Sequence, residues 1–345
     1  MSQASSTLFM RALGALPELP APVPHGLHSF FYHTVSDRPL PHARHLYGYK
    51  GSAQFERDLE WLKARFSFVS HADVARHLRG EHSLPERAAQ VSFDDGLAEC
   101  FDVARPLLRK HCVPCTFFVV RDLVDNARLM HKSAVSLCLD ALERTDERDL
   151  ADLCGRASRV FARRITSRAG LVTAVRALTV HDDELVQRAC EAFEVKVAEA
   201  LSARPYMTRA QIRQLAAEGF TIGGHTTRHA ELDLLEPAAV EREIVESCEF
   251  VRDLTGQRSV PFAITFNGLA LPREPLRDIL ARHPFIDAIY DTNDLMPDAP
   301  FVVNRIWADT PAAAERESNL PLLLKRARAL EPARRWKRRL RQLPR

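Results

Sequence analysis

The chain has 345 residues, 46% of them apolar, and a formal charge of +3. That content can bury the core of one elaborated α/β domain, and no apolar run reaches the length of a membrane span. Seven cysteines, an odd count without framework spacing, point to reduced thiols and exclude a disulfide scaffold.

Residues 1–27 are rich in Pro and Ala and are expected to be irregular. They lack the basic-then-apolar order of a secretory signal, so a cytoplasmic location is expected. Ser29–His33 reads as the first strand, followed by a polar loop through Lys50. That loop carries His42, Arg44, His45 and Tyr47, a polar and aromatic mixture of the kind that contacts sugars. Phe55–Phe66 places Phe55, Leu59, Leu62 and Phe66 on one helical face, and Val74–Leu78 is a second short helix. The apolar run Ala89–Phe93 is a strand closed by Asp94-Asp95-Gly96; a helix over 98–110 and a strand over 115–120 follow. Cys112-Val113-Pro114-Cys115 has no second Cys-x-x-Cys to complete a zinc site and reads as two buried small hydrophobes.

From 122 to 205 the strand–helix alternation stops. Helical spacing, as in Leu139 and Leu142 or Val175 and Leu178, predicts a helical insertion. It is either a lid or substrate wall, or a stabilising appendage. The alternation resumes at 206. Thr208 through Gln211 forms a capping-box pattern opening a helix over Ala210–Glu218, Gly219 ends it, and Phe220–Ile222 is a strand. A helix over Pro237–Thr255 and strands near 260–266, 286–290 and 301–306 complete the pattern, with Asn304-Arg305 at the last strand's end. From Lys325 to Arg345 there are ten Lys/Arg and one Glu. This tail is either a solvated terminus or a basic amphipathic segment lying on an anionic membrane surface. Basic character confined to a tail, with no recognition motif, argues against nucleic acid.

Two segments carry chemistry. Adjacent carboxylates close one strand at Asp94-Asp95, and two imidazoles four residues apart, His225 and His229, follow another. One carboxylate and two neutral imidazoles make a half-open site for a divalent ion, and the second carboxylate is left beside it as a base. Zinc suits these ligands best, with iron, cobalt or nickel as alternatives. Arg305 is placed to orient an active-site carboxylate or an anionic substrate.

Ser92-Phe93-Asp94-Asp95-Gly96 and His225-Thr226-Thr227-Arg228-His229 resemble the first two motifs of the NodB-type polysaccharide deacetylases, the family-four carbohydrate esterases. The resemblance covers roughly residues 28–122 and 204–308. It implies a distorted (β/α) barrel of about seven strands, built from 28–122 and 204–320. The helical insertion over 123–203 and the basic tail over 321–345 would be additions. It also implies that Asp94 is the general base, that Asp95, His225 and His229 bind the metal, and that an N-acetyl group is hydrolysed from an amino sugar. Phe31-Tyr32-His33-Thr34-Val35 is similar to the N-terminal segment of the family's permuted branch, which includes the poly-N-acetylglucosamine deacetylases. There the early His is the general acid, a role this assigns to His33. The third motif departs from the family: Phe262–Gly268 lacks its Pro, its second Tyr and the Arg that contacts the base. A backbone donor for the oxyanion is expected near Phe266 and Asn267.

With no export signal read, the expected substrate is an intracellular oligosaccharide, a lipid-linked sugar or a glycan precursor. Two other readings compete. One is hydrolysis of a small amide, imide or formamide by the same site. The other is a catalytically silent carbohydrate-binding protein, against which the extra carboxylate argues.

Overall fold

The computed structural model describes residues 26–341, with side chains through 331. The expected irregular segment before residue 26, the residues after 341, and the side chains of the tail from 332 onward lie outside the described residues. The expected membrane contact through 325–345 falls largely there. Among the described residues no helix is long and apolar enough to cross a membrane.

Eight parallel strands form one sheet. They are β1 (Gly26–Tyr32), β2 (Ser67–Phe68), β3 (Arg87–Phe93), β4 (Cys115–Val119), β5 (Thr221–Gly224), β6 (Val260–Ala263), β7 (Ile286–Asp291) and β8 (Val302–Trp307). Their order is β1-β8-β7-β6-β5-β4-β3-β2, and β1 also pairs with β3 along its full length. That last pairing closes a ring of seven strands, leaving the two-residue β2 beside the lower half of β3. The register aligns the strand ends. Tyr32 faces Phe93, Phe93 faces Phe117, and Val119 faces Gly224. His33, Asp94 and His225, each the next residue after its strand, therefore share one rim, the carboxyl-terminal end where parallel barrels build sites.

Alternation along the strands separates two cores. Phe30, Tyr32, Val91, Phe93 and Phe117 turn outward to helices such as α1 (Ser52–Lys63), which contributes Phe55, Leu59 and Leu62. The intervening positions fill the barrel, among them Phe118, Tyr290 and Val303. The helices α2 (His71–Leu78), α3 (Arg105–His111), α9 (Arg209–Ala217), α10 (Pro237–Thr255), α11 (Arg273–Arg282) and α12 (Leu320–Arg341) complete the outer layer. The expected capping box is present. Thr208 Oγ1 accepts from the Gln211 N–H, and Gln211 returns a bond to the Thr208 N–H at 2.8 Å. Of the Cys-x-x-Cys pair, Cys115 is buried as expected; Cys112 is exposed, because it ends α3 in a left-handed turn with φ of +55°.

Between β4 and α9 the chain forms five helices: α4 (His131–Arg144), α5 (Glu147–Val160), α6 (Arg168–Arg176), α7 (Asp183–Ala192) and α8 (Val197–Ser202). They enclose their own core, including Leu139, Leu142, Leu153, Leu171 and Val175. A polar neck joins this bundle to the barrel. Tyr206 exchanges two bonds with the Asn126 side chain at 2.9 and 3.0 Å, and its hydroxyl bonds Ser133 and the Met130 N–H at 3.0 Å each.

Candidate metal centre and active site

The apolar run of β3 ends at Phe93, and the chain turns at the next two residues. Asp95 has φ of +71°, a left-handed conformation that Asp tolerates better than most residues. The turn separates the two carboxylates, which have different partners. On the other side of the centre, Gly223 and Gly224 leave no room for a side chain. A Cβ at Gly223 would meet the Phe118 ring at 2.4 Å, and one at Gly224 would meet Cys248 Sγ at 2.8 Å. This close approach seats β5 between the barrel interior and α10. Glu243 of α10 then fixes the following loop by accepting from the Thr227 N–H at 2.6 Å and the Thr227 hydroxyl at 2.7 Å.

Asp95, His225 and His229 converge and are buried. Asp95 Oδ1 lies 3.4 Å from His225 Nε2 and 3.2 Å from His229 Nε2, yet it accepts no hydrogen bond. The reason is visible for His225: its Nδ1 is 2.8 Å from the Ala263 carbonyl, which can only accept, so Nδ1 carries the proton and Nε2 presents a lone pair. Between Asp95 and His225, lone pairs thus face one another with no proton between them. That arrangement fits a cation: a buried carboxylate oxygen without a partner, and imidazole nitrogens aimed at it. Burial lowers His229. An ionised carboxylate beside a neutral imidazole is the donor state a divalent ion requires. Asp95 Oδ2 accepts from the Tyr47 hydroxyl at 3.3 Å.

Asp94 is held apart from this cluster. Arg305, fully buried, donates Nη1 to Asp94 Oδ1 at 2.7 Å and Nη2 to Oδ2 at 2.8 Å. Its guanidinium lies 4.5 Å from the Phe31 ring centre and 5.1 Å from that of Phe118. A planar fork sandwiched by aromatics permits one orientation of the carboxylate. This fork comes from β8, not from the Phe262–Gly268 segment.

His33 stacks on Tyr47, ring centres 4.1 Å apart, and its Nδ1 is 2.5 Å from Asp309 Oδ2. The other Asp309 oxygen accepts the His33 N–H at 2.9 Å, and Trp307 Nε1 donates to the carboxylate at 2.6 Å. Burial pushes the imidazole down, but Asp309, with lesser help from Asp95 and Asp94, raises it to about 9. His33 therefore carries a proton at neutral pH and directs Nε2 away from Asp309.

His33, Asp94, Asp95, His225 and His229 line one cleft of about 790 Å³, together with His45, Tyr47, Phe266 and Asn267. Phe266 has φ of +60° and sets its ring 4.8 Å from that of His229. Among the described residues nothing accepts its N–H, although its carbonyl accepts from Thr292 at 2.7 Å. Three expected substrate contacts lie elsewhere. Arg305 sits beneath the cleft floor. Arg44 turns to the insertion, where Asp140 at 2.7 Å and Glu143 hold it. His42 is absent from the cleft lining, and burial pushes it down to about 4. The loop that holds both packs on α4, where Ser136 bonds the Pro41 carbonyl and Arg44 joins the barrel to the insertion.

Sequence reasoning missed Asp309, although a carboxylate two residues beyond β8 follows the same strand-end rule as Asp94. It also missed the cleft residues brought by the insertion: Met130, Lys132, Val135 and Arg176. Helical spacing reveals a buried face without revealing what covers it. Nor did any signal single out His131, buried with both ring nitrogens unpartnered, its ring centre 6.0 Å from that of His229.

Comparison with known proteins agrees with this geometry. Residues 180–270 match the family model for polysaccharide deacetylase. No curated protein matches the chain. The fold is similar to that of the deacetylase PplD of Streptococcus pyogenes, solved with acetate. The identity is 14% over 81% of this chain and 91% of that one, at a TM-score of 0.52. IcaB of Ammonifex degensii aligns at 17% identity over 88% of this chain and 97% of its own, at 0.49. A de-N-acetylase of Aggregatibacter actinomycetemcomitans aligns at 15% over 84% and 97%, at 0.48. The family match spans both imidazoles but stops short of Asp94 and Asp95, which lie on the far side of the insertion. The imidazole segment thus matches the polysaccharide deacetylase family model, and the seven-strand barrel that brings the paired carboxylates to it is similar in fold to that of a deacetylase.

Proposed function

We propose that the protein removes an N-acetyl group from an amino sugar by metal-assisted hydrolysis. The observation that carries this reading is the partnerless Asp95 Oδ1 facing two imidazoles, with a second carboxylate held 2.7–2.8 Å from its own arginine beside it. Asp95, His225 and His229 would hold a divalent ion, zinc by preference, whose positive charge would acidify water and polarise the acetyl carbonyl. Asp94, oriented by Arg305, takes the proton from the attacking water. His33, kept protonated by Asp309, gives a proton to the departing amine nitrogen, so that acetate and a free amino sugar leave. The unpartnered Phe266 N–H is a donor for the negative charge developing on the acetyl oxygen.

Acetate release from N-acetylated sugars tests this. Chelation is expected to lower the rate at least about 100-fold, with recovery on adding back a divalent ion, and His229→Ala to weaken metal retention and rate together. A rate indifferent to chelation contradicts the reading.

A further inference from the structure

The cleft has an imbalance of charge that a neutral glycan leaves unanswered. Its lining includes two acids: Asp94 is paired with the Arg305 fork, and Asp95 faces the two imidazoles that would share a metal ion with it. The insertion contributes two cations to the same lining. Lys132, in the first turn of α4, places Nζ 5.1 Å from the centre of the Phe266 ring, which itself abuts His229. Arg176, exposed at the end of α6, also lines the cleft. Among the described residues neither forms an ion pair. Lys132 is half-buried, and burial lowers its ammonium against the opposing influence of Glu231. A partly desolvated ammonium outside any salt bridge is costly, and cationic groups in a concave lining concentrate anions.

We propose that Lys132 and Arg176 form an anion subsite, and that the amino sugar this enzyme acts on carries an oxyanion group, a phosphate ester or a carboxylate. The inference rests on the deacetylase reading for the sugar, while the subsite itself rests on the two cations. It gives the insertion a substrate-selecting role: α4 and α6 place the subsite over the rim that holds the reacting groups. Phe266 stands between Lys132 and His229, with its ring against both, so the anion would sit beyond the acetamido group.

Binding to the full chain in the presence of chelator tests this without turnover. The probes are N-acetylglucosamine, its 1-phosphate, and N-acetylmuramic acid as the carboxylate arm, each measured by calorimetry. The anionic sugars are expected to bind at least about tenfold more tightly than the neutral one. Lys132→Gln and Arg176→Gln are each expected to shrink that preference by about threefold to tenfold, and Lys132→Arg to retain it. Whichever anion binds more tightly identifies the group. Equal affinity for neutral and anionic sugars overturns the proposal, as does a preference that survives the double Gln variant. The two readings fail separately. A bound sugar phosphate that yields no acetate in metal-loaded protein removes the deacetylase reading and keeps the subsite. Acetate released from neutral and anionic sugars with equal kcat/KM removes the subsite and keeps the deacetylase.

Discussion

Arg305→Met is expected to destabilise the protein by about 3–5 kcal/mol and to lower kcat by at least about 100-fold. Arg305 is fully buried and is the fork that holds both oxygens of Asp94. Methionine fills much of the same space among Phe31, Phe118 and Tyr290 but leaves the carboxylate buried without a partner. That unpaired charge, rather than lost packing, dominates the expected cost. The rate falls separately, because a base free to rotate is no longer held toward the water it must deprotonate. A double-mutant cycle with Asp94→Asn distinguishes the causes. If the unpaired charge is responsible, Arg305→Met costs much less when combined with Asp94→Asn, as read by thermal melting. A single variant that melts and turns over like the parent contradicts the assignment.

Asp309→Asn is expected to move the alkaline limb of kcat/KM to lower pH by about one unit or more. Burial alone would depress His33, and Asp309 reverses this to bring it to about 9. A proton donor raised in this way is loaded throughout neutral pH and is lost as pH climbs through its folded value. The bound metal's charge adds a downward push, so the parent's limb lies at or below about pH 9. The same pair contributes to stability below the unfolded His value near about 6.5, a contribution that disappears as pH rises through the folded value. Without Asp309 the opposing burial prevails and the limb falls. Superimposable pH profiles for the two proteins would remove His33 as the acid.

The sequence carried the reacting groups because each lies beside a strand end that local pattern reveals. Asp-Asp-Gly after an apolar run and two imidazoles after a glycine pair are short-range signals. Element types were equally legible, from the capping box at Thr208 to the helix over Pro237–Thr255. Closure of the barrel was not legible from the residues alone, since β1 meets β3 through pairing that alternation cannot specify. The partners that make the groups useful lie far along the chain: Asp309 is 276 residues from His33, and Arg305 is 211 from Asp94. Arg305 was noticed as a charge ending a strand, but its burial beneath the cleft was not readable. The loop holding His42 and Arg44 had a sugar-binding composition, and it divides: His45 and Tyr47 line the cleft, while Arg44 turns to the insertion. A polar loop beside an amphipathic bundle has two plausible uses, and only packing decides between them.

The most direct test measures bound metal and acetate release together, from the parent and from Asp94→Asn, over N-acetylated sugars including the anionic ones. The asparagine retains the shape of the side chain but cannot take the proton. The account expects about one divalent ion per chain in both proteins and a rate about 100- to 10,000-fold lower in the variant. An Asp94→Asn protein that releases acetate at the parental rate, or a parent that hydrolyses these sugars without bound metal, contradicts it.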